Sequence, residues 1–320
     1  MKIEERIKRI IKKSDNIFVS GHKNLDLDAI GACIGIKAIA HRFRKECYII
    51  VDDETHEPGI SKILEEIKDN SKIIKSNEIP DFHKKKSVLI IVDTNKANMI
   101  QNDKILHQFS DIIVIDHHQE TDQTINGINM IDIGRSSACE MITSLIREYK
   151  VELMDYEATI ILSGIVLDTH NFSKKTKDIT FYEAYYLTAV GANPKKVQYY
   201  LKENLNDYII RNKVIINVEV INTKYAVATA NNKDSYKRED LAKIADTLLN
   251  FNDIEASFVV GNRIDGGVGI SGRSEGSINV GSILEELGGG GDACTAACQV
   301  TDMNLEETKK ELIRVLNEEE

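Results

Sequence analysis

An imidazole and two carboxylates lie within a seven-residue stretch near the amino end of the chain. His22, Asp26 and Asp28 follow an apolar, β-branched run at 17–19 and precede an apolar segment at 29–40 that predicts a helix. This order places the three side chains in a loop at the carboxyl end of a strand, where open α/β sheets bind ligands. One imidazole and two carboxylates suit a hard or borderline divalent cation, so the stretch is interpreted as half of a metal site. The alternative is that these residues are helix caps and solvated turn residues.

Further acids and histidines follow later apolar elements in the same way. Two buried strands are predicted at 87–92 and 112–115, and an apolar helix at 157–166. The residues at the ends of these elements are Asp93, Asp116, His117, His118 and Asp168. Continuous apolar runs that alternate with helices predict an α/β fold with a parallel sheet covered on both faces. Since parallel strands end at one edge of the sheet, we expect these side chains to converge there.

Composition restricts the class of protein. A length of 320 residues favours two domains. The net charge of -10 and the absence of a basic stripe argue against a long nucleic acid as partner. No apolar run approaches the ~20 residues of a membrane helix, and the amino terminus has no signal-peptide core. Five scattered cysteines without zinc-ribbon spacing suit a reduced interior, so we expect a cytoplasmic protein.

Two glycine- or serine-containing segments could contact a phosphate. Ser136 and Ser137 lie near the start of a helix predicted at 136–149, whose free amides could hold a phosphate. A plain serine cap is the alternative. The glycine run at 288–291, followed by Asp292, is predicted to open a helix at 293–300, in which Cys294 and Cys298 would share a face. Its amides could approach a ligand closely, or the run could be a flexible turn.

The domain boundary is placed near 190–215, without a glycine-rich or proline-rich linker to mark it. We predict a first domain at 1–190, a helical linker at 191–215 and a second domain at 216–320. In the second domain, strands are predicted at 225–230, 256–262 and 267–272, and a helix at 238–249. The last two strands are expected to pair through a turn at Asp265-Gly266.

Taken together, these motifs resemble the DHH phosphoesterases, in the right order and along nearly the whole chain. The first part of the resemblance consists of Gly21-His22, Asp26, Asp28, Asp93-Thr94, Asp116-His117-His118 and Asp168. Ser271-Gly272-Arg273-Ser274 and the glycine run resemble the DHH-associated substrate domain. The resemblance implies an N-terminal parallel-sheet DHH domain, a smaller C-terminal α/β DHH-associated domain and an active site in the cleft between them.

Neighbouring residues narrow the resemblance to the catalytic module of membrane-anchored cyclic-di-AMP phosphodiesterases of the GdpP type. The segments concerned are 136–140, 164–169, 172–173, 245–249, 256–259 and 268–271. Those anchored proteins carry membrane helices and sensory domains upstream. We expect this chain to be an excised cytosolic module or a soluble relative.

This resemblance implies two Mn²⁺ ions, although such sites also admit other divalent metals. His22 and Asp26 would hold one ion. Asp28, His117 and Asp168 would hold the other, and Asp93 would bridge both. Asp116 and His118 are assigned to supporting contacts or to the substrate phosphate. Two such ions activate a bridging water for attack on phosphorus, which would open cyclic di-AMP to linear pApA.

Substrate contacts are expected from the second domain. Arg273 is the candidate for the distal phosphate, because a guanidinium matches phosphate oxygens bidentately. Arg263 is a weaker candidate and could equally be a surface charge. The amides of Gly289, Gly290 and Gly291 would cradle phosphate or ribose. Asp292 stands where the family usually has histidine, and we expect its charge to weaken substrate binding or to alter the preference between cyclic and linear dinucleotides.

Three other functions compete with this one. The same chemistry could act on linear dinucleotides or nanoRNA. A non-catalytic nucleotide sensor would lack metal ligands, and none of the six is missing. An inorganic pyrophosphatase of the same superfamily agrees less well with the motifs. The sequence leaves the base and the oligomeric state open, with a homodimer among the alternatives.

Overall fold

The computed structural model describes residues 1–52 and 56–318. The chain divides into two compact units, Met1–Glu203 and Asn204–Glu320. The division falls inside the segment 191–215 that was predicted as a helical linker. It separates two consecutive helices, Pro194–Tyr200 in the first unit and Leu205–Ile215 in the second.

The first unit is built on a parallel sheet, as predicted. Its strands are β1 (Asn16–Ser20), β2 (Glu46–Ile50), β3 (Lys72–Ile74), β4 (Val88–Val92), β5 (Asp111–Asp116) and β6 (Ile128–Ile131). Among the described residues they form one sheet in the order β3-β2-β1-β4-β5-β6, with every pair parallel. The strand order reverses between β1 and β4, which is the position where open α/β sheets bind ligands at their carboxyl edge.

Helices cover both faces of this sheet. They are α1 (Ile3–Lys13), α2 (Leu27–Arg42), α3 (Pro58–Ile67), α4 (Ile79–Phe82), α5 (Ala138–Tyr149), α6 (Asp155–Asp168), α7 (Asp178–Ala189) and α8 (Pro194–Tyr200). Short 3₁₀ helices lie at Ser76–Glu78, Ala97–Met99 and Asp103–Gln108. Along β1, Ile17 and Val19 belong to one apolar core and Phe18 to the other. Side chains of successive strand residues point to opposite faces, so this alternation explains why the strand is apolar throughout.

Helix α2 is the buried centre of the first unit and carries Asp28 in its first turn. It packs against α5 and α6 at very short range. A Cβ atom at Gly31 would lie 2.6 Å from Cys139 Sγ and 3.0 Å from the carbonyl oxygen of Ile160. Close packing of these three helices therefore fixes where the start of α2 lies relative to the start of α5.

The second unit is the smaller of the two and contains a mixed sheet with helices. Its strands are β7 (Val218–Ile221), β8 (Tyr225–Thr229), β9 (Ser235–Tyr236), β10 (Ala256–Arg263), β11 (Val268–Ser274), β12 (Gly290–Gly291) and β13 (Thr295–Val300). Its helices are α9 (Leu205–Ile215), α10 (Arg238–Leu248), α11 (Val280–Glu285) and α12 (Leu305–Glu318). Among the residues that the structure describes, the order is β12-β13-β11-β10-β8-β7, and β9 pairs with β10. The predicted pairing of β10 with β11 is confirmed and is antiparallel.

The helix predicted at 293–300 is wrong. Residues 295–300 form β13, which pairs antiparallel with β11 and with the short β12. Ala296, Cys298 and Val300 are buried, and this period of two is that of a strand. A short run of small apolar residues fits either element, so tertiary pairing decides between them. Cys294 is exposed in the preceding turn, so Cys294 and Cys298 do not share a helix face.

Within the described ranges, no helix has both the length and the apolar character that a membrane span needs.

Candidate metal centre

The loop after β1 gives Asp26 two roles at once. Asp26 is the N-cap of α2, and its Oδ1 accepts hydrogen bonds from the amides of Asp28 and Ala29, both at 2.9 Å. Its Oδ2 lies 3.4 Å from Nε2 of His22. Nδ1 of His22 lies 2.7 Å from the carbonyl oxygen of Lys23, a contact that fixes the ring with Nε2 toward the acids. Oδ1 of Asp26 therefore caps the helix, as the capping alternative holds, while Oδ2 faces His22, where the ligand prediction places it.

Asp93, directly after β4, lies between two histidines. Its Oδ2 is 3.3 Å from Nε2 of His22, and its Oδ1 is 3.3 Å from Nε2 of His117. The residue is 3% exposed and has a φ of 58°, in the left-handed region that few residues other than glycine adopt. Such backbone strain at a polar buried residue is typical of functional positions.

A second set of side chains surrounds His117, which directly follows β5. Its Nε2 lies 3.2 Å from Oδ2 of Asp168 and 3.9 Å from Oδ2 of Asp28. Asp28 comes from the first turn of α2, and Asp168 is the last residue of α6. The structure thus brings a helix end to the edge where two strand ends already meet.

Asp116 and His118 form a supporting pair beside Asp93. Nδ1 of His118 is 2.8 Å from Oδ1 of Asp116, and the same oxygen accepts a hydrogen bond from the amide of His117. The His118 side chain is 55% exposed, whereas Asp116 is fully buried. Asp116 therefore fixes the backbone of His117 and the ring of His118, and the exposed part of the His118 ring is available to a ligand.

The donor sets fit divalent cations. Three groups of ligand atoms each lie within 4.8 Å of one another; they are His22/Asp26/Asp93, Asp28/His117/Asp168 and Asp93/Asp116/His117/His118. Oδ1 of Asp93 and Nε2 of His117 are buried, and no described residue makes an aligned hydrogen bond to either. Since buried polar atoms are almost always hydrogen-bonded, these two atoms indicate that the cluster binds a ligand. Carboxylate oxygens with imidazole nitrogens suit Mn²⁺ and related ions.

The electrostatics of the cluster favour added positive charge. Burial would lower the pKa of His22, but contacts with the Asp26 and Asp93 carboxylates raise it to about 12. Burial is likewise outweighed at His117, where the Asp168 and Asp93 carboxylates raise the pKa to about 11. In the metal-free chain, protonated imidazoles therefore supply the positive charge that the carboxylates require.

The pKa values of the carboxylates shift in opposite directions. Burial and the charges of Asp93 and Asp168 hold the pKa of Asp28 well above its usual range. Burial also raises the pKa of Asp168. Burial would raise the pKa of Asp93 too, but its contacts with His117 and His22 lower it instead. The two histidines therefore stabilise the ionised carboxylate of Asp93.

Ser136 and Ser137 are fully buried beside the cluster. Ser137 is the N-cap of α5 and accepts from the amide of Glu140, as the cap alternative holds. The hydroxyl of Ser136 donates to Glu140 at 2.5 Å. The helix amides that were expected to be free donate to Asp28 instead, from Ala138 at 2.7 Å and from Cys139 at 2.9 Å. A sequence does not show which helix start meets which acid, so this contact was not predicted.

The two candidate arginines of the second unit differ in their contacts. Arg263 makes two hydrogen bonds to Asp265, at 2.9 and 2.6 Å. This ion pair is local, and the Arg263 side chain is 14% exposed. Arg273 donates to the carbonyl oxygen of Gly272 at 2.8 Å, and its Nε lies 3.5 Å from Asp246 Oδ2. Arg273 is thus held in place while keeping donors for an anion.

The glycine run leads into a β-hairpin, in which Gly290 and Gly291 form the first strand. The run and Asp292 make contacts within this hairpin and with the helix before it. The amide of Gly289 donates to Leu284, and a Cβ atom there would lie 2.6 Å from the carbonyl oxygen of Ala297. Gly290 and Gly291 pair with β13. Asp292 accepts from the amides of Cys294 and Thr295 at 2.8 Å and from the Thr295 hydroxyl at 2.9 Å. Burial opposes the shift, but these hydrogen bonds lower the pKa of Asp292.

Comparisons with known proteins identify the domains of the chain. The model of the DHH family, N-terminal domain, matches residues 16–165, and that of the DHHA1 domain matches residues 222–319. The chain is 35% identical to the cyclic-di-AMP phosphodiesterase PdeA of Listeria monocytogenes, over 98% of this chain and 49% of that protein. Nearly the whole chain is matched by these curated relatives. The chain, however, spans only about half of their length.

Two further comparisons have lower sequence identity. A probable bifunctional oligoribonuclease and PAP phosphatase, NrnA of Streptococcus mutans, is 27% identical over 51% of this chain and 48% of that protein. The crystal structure of an exopolyphosphatase-related protein from Bacteroides fragilis superimposes with a TM-score of 0.80 at 17% identity. It covers 99% of this chain and 94% of that one, and it shows the same fold. With both of its domains matched in order, the chain belongs to the DHH family and carries a DHHA1 domain after its DHH domain.

Proposed function

We propose that the chain is a manganese-dependent phosphodiesterase that hydrolyses cyclic di-AMP to linear pApA. The observation that carries the proposal is the position of Asp93, whose two carboxylate oxygens face two different histidines at 3.3 Å each. A carboxylate so placed is suited to be shared by two cations. The identity to PdeA, which is named a cyclic-di-AMP phosphodiesterase, supports the substrate class.

The assignment of ligands follows the two donor sets. His22 and Asp26 would hold one ion, Asp28, His117 and Asp168 the other, and Asp93 would be common to both. Four carboxylates then balance the charge of two divalent cations. When bound, a pair of divalent ions lowers the pKa of a water and stabilises charge on the phosphoryl oxygens during in-line displacement.

The protein's own groups would orient this reaction. The Lys23 carbonyl fixes the ring of His22, and Asp116 fixes the ring of His118. The exposed imidazole of His118 could donate a proton or a hydrogen bond to the substrate phosphate. Hydrolysis forms a bond from a water oxygen to phosphorus and breaks the bond from phosphorus to the 3′ oxygen. The 3′ oxygen leaves as a hydroxyl with a proton from that water, and the product keeps the phosphate on its 5′ oxygen.

Substrate binding is proposed for the second unit. Arg273 would bind the phosphate that is not being cleaved, because its guanidinium is fixed by Gly272 and Asp246. Exposed or partly exposed backbone of the hairpin at Gly290 and Gly291 would approach the ribose. Arg263 has no part in this proposal, since its guanidinium already pairs through Nε and Nη2 with Asp265 two residues along the chain.

Linear dinucleotides are the second candidate substrate. The similarity to NrnA, named a probable oligoribonuclease, favours this alternative over half of the chain. Asp292 also bears on this choice, because it places a carboxylate where the family usually has histidine. A cytosolic location and a homodimer remain predictions.

The test is incubation of the purified chain with Mn²⁺ and a panel of cyclic and linear dinucleotides, with products resolved by chromatography. We expect cyclic di-AMP to be consumed fastest and linear pApA to accumulate. Faster release of AMP from pApA than of pApA from cyclic di-AMP would assign the chain to the second candidate. No turnover of any dinucleotide would contradict both.

A further inference from the structure

Asp28 is held by a helix other than its own. It is fully buried at the start of α2, and both of its carboxylate oxygens accept hydrogen bonds from the start of α5. The donors are the amides of Ala138 and Cys139, the first two residues of that twelve-residue helix. The thiol of Cys139 also lies 3.3 Å from the backbone oxygen of Asp28. The direction in which Asp28 faces the centre therefore depends on where α5 begins.

A second buried carboxylate fixes that beginning. Glu140, in the first turn of α5, has no exposed surface. Its Oε2 accepts from the hydroxyls of Ser136 at 2.5 Å and Thr180 at 2.7 Å, and its Oε1 accepts from Nη1 of Arg135 at 3.0 Å. These donors come from the segment before α5 and from α7. Glu140 thus connects the start of α5 both to the segment before it and to α7.

We propose that Glu140 is a positioning residue for metal binding, acting through the start of α5 on Asp28. The inference rests on the proposed function, because it assumes that Asp28 holds one of two cations. A buried ion pair is no better for stability than a well-packed apolar group of similar volume. The value of Glu140 is therefore its geometry, since it fixes two amides that each hold one oxygen of a metal ligand. Residues that orient metal ligands in this way are typically important for metal affinity.

The chain offers a matched control in Glu183. This residue is also fully buried and lies on α7. It accepts two hydrogen bonds from Arg147, at 2.9 and 3.1 Å, and one from Ser144 at 2.6 Å. It therefore joins α5 to α7 through a buried carboxylate and an arginine, as Glu140 does. Its partners, however, lie further along α5 and do not include the two amides that contact Asp28.

The experiment is titration of the metal-free chain with Mn²⁺, followed by calorimetry and by electron paramagnetic resonance, without substrate. Glu140→Gln replaces one acceptor oxygen by an amide nitrogen, so one of its contacts is lost. We expect one of the two Mn²⁺ sites to weaken by roughly 10–100-fold, with loss of the spectrum of a coupled ion pair. Glu183→Gln should keep both sites, even where its melting temperature falls as far.

Two further variants keep the proposal testable if Glu140→Gln does not fold. Thr180→Val removes a single donor to Glu140 with little change in volume and should weaken the same site by a smaller factor. Arg135→Lys should retain more Mn²⁺ affinity than Arg135→Gln, because it keeps a cation beside Glu140.

The outcomes separate this inference from the proposed function. Two sites of unchanged affinity in Glu140→Gln or Thr180→Val would overturn the positioning role while leaving the metal pair intact. Equal weakening in Glu183→Gln would also overturn it, since general packing would then explain the effect. If the unmodified chain fails to bind two Mn²⁺ ions, the proposed function fails and the positioning role fails with it.

Discussion

The cluster of acids and histidines in the first unit and the glycine hairpin of the second differ in how their polar atoms are satisfied. In the cluster, Asp93 Oδ1 and His117 Nε2 are buried without an aligned partner among the described residues. In the hairpin, Asp292 uses both carboxylate oxygens on its own turn, and Gly289 donates to Leu284. The unpaired buried atoms of the cluster are direct evidence for a ligand there, whereas the part proposed for the hairpin depends on its motif alone.

Removal of the shared acid should have the largest effect. Asp93→Ala deletes the carboxylate that faces both histidines, so we expect turnover of cyclic di-AMP to fall by roughly 100–1,000-fold or more. Asp93→Asn should lose as much, while tolerating the left-handed backbone better than alanine. Rates are measured by chromatography and folding by thermal unfolding.

The control for this pair is Asp111→Ala, an exposed acid at the opposite end of β5. Its activity should stay at the level of the unmodified chain. Substantial residual turnover in the Asp93 variants would show that the bridging assignment is wrong.

Metal affinity should depend on pH in a definite direction. In the metal-free chain the pKa of His22 is raised to about 12 and that of His117 to about 11, so both imidazoles are protonated at neutral pH. Binding of Mn²⁺ must release these protons, so affinity should increase steadily from about pH 6 to about pH 8.5. Calorimetry in buffers of different ionisation enthalpy counts the protons released. Affinity that is constant or falls over this range would contradict the proposed ligands.

Substitution of the two arginines of the second unit should have clearly different effects on KM. Arg273→Gln should raise KM roughly tenfold or more with little change in kcat, the scale of a lost charge-assisted hydrogen bond. Arg263→Gln is the matched control and should leave KM unchanged, because Asp265 already binds its guanidinium. Equal increases in KM from both substitutions would contradict the proposed difference between Arg273 and Arg263.

The smallest effect is expected at Asp292. Asp292→Asn removes the charge but keeps an oxygen for the amides of Cys294 and Thr295. We expect KM for cyclic di-AMP to fall a few-fold, since an exposed charge interaction contributes up to about 1 kcal/mol. Asp292→His should lower KM further by adding a donor. An unchanged or higher KM in both variants, with unchanged melting temperatures, would show that the charge of Asp292 does not reach the substrate.

Much of the first unit could be predicted because its signals are local and repeated. Apolar runs such as that at 88–92 identify buried strands, and parallel strands bring their ends to one edge without further information. The short strand at 128–131 was missed, because its partly buried residues lack a continuous apolar pattern. The run at 295–300 was assigned to the wrong element, because its pairing with β11 cannot be read from small residues such as alanine.

The site was predictable to the same extent. The residues at strand ends, among them His22, Asp93 and His117, converge as the topology requires. Contacts that depend on helix packing were not predictable, such as the amides of α5 on Asp28. The double role of Asp26 was also hidden, because a sequence does not distinguish the two oxygens of one carboxylate.

A crystal structure of the chain soaked with Mn²⁺, with anomalous scattering to locate the metal, would test the bridging geometry directly. We expect two anomalous peaks about 3.5–4 Å apart, with the carboxylate of Asp93 between them and Nε2 of His22 and of His117 on opposite sides. A single peak, or two peaks that Asp93 does not join, would contradict the proposed metal pair and the reaction that depends on it.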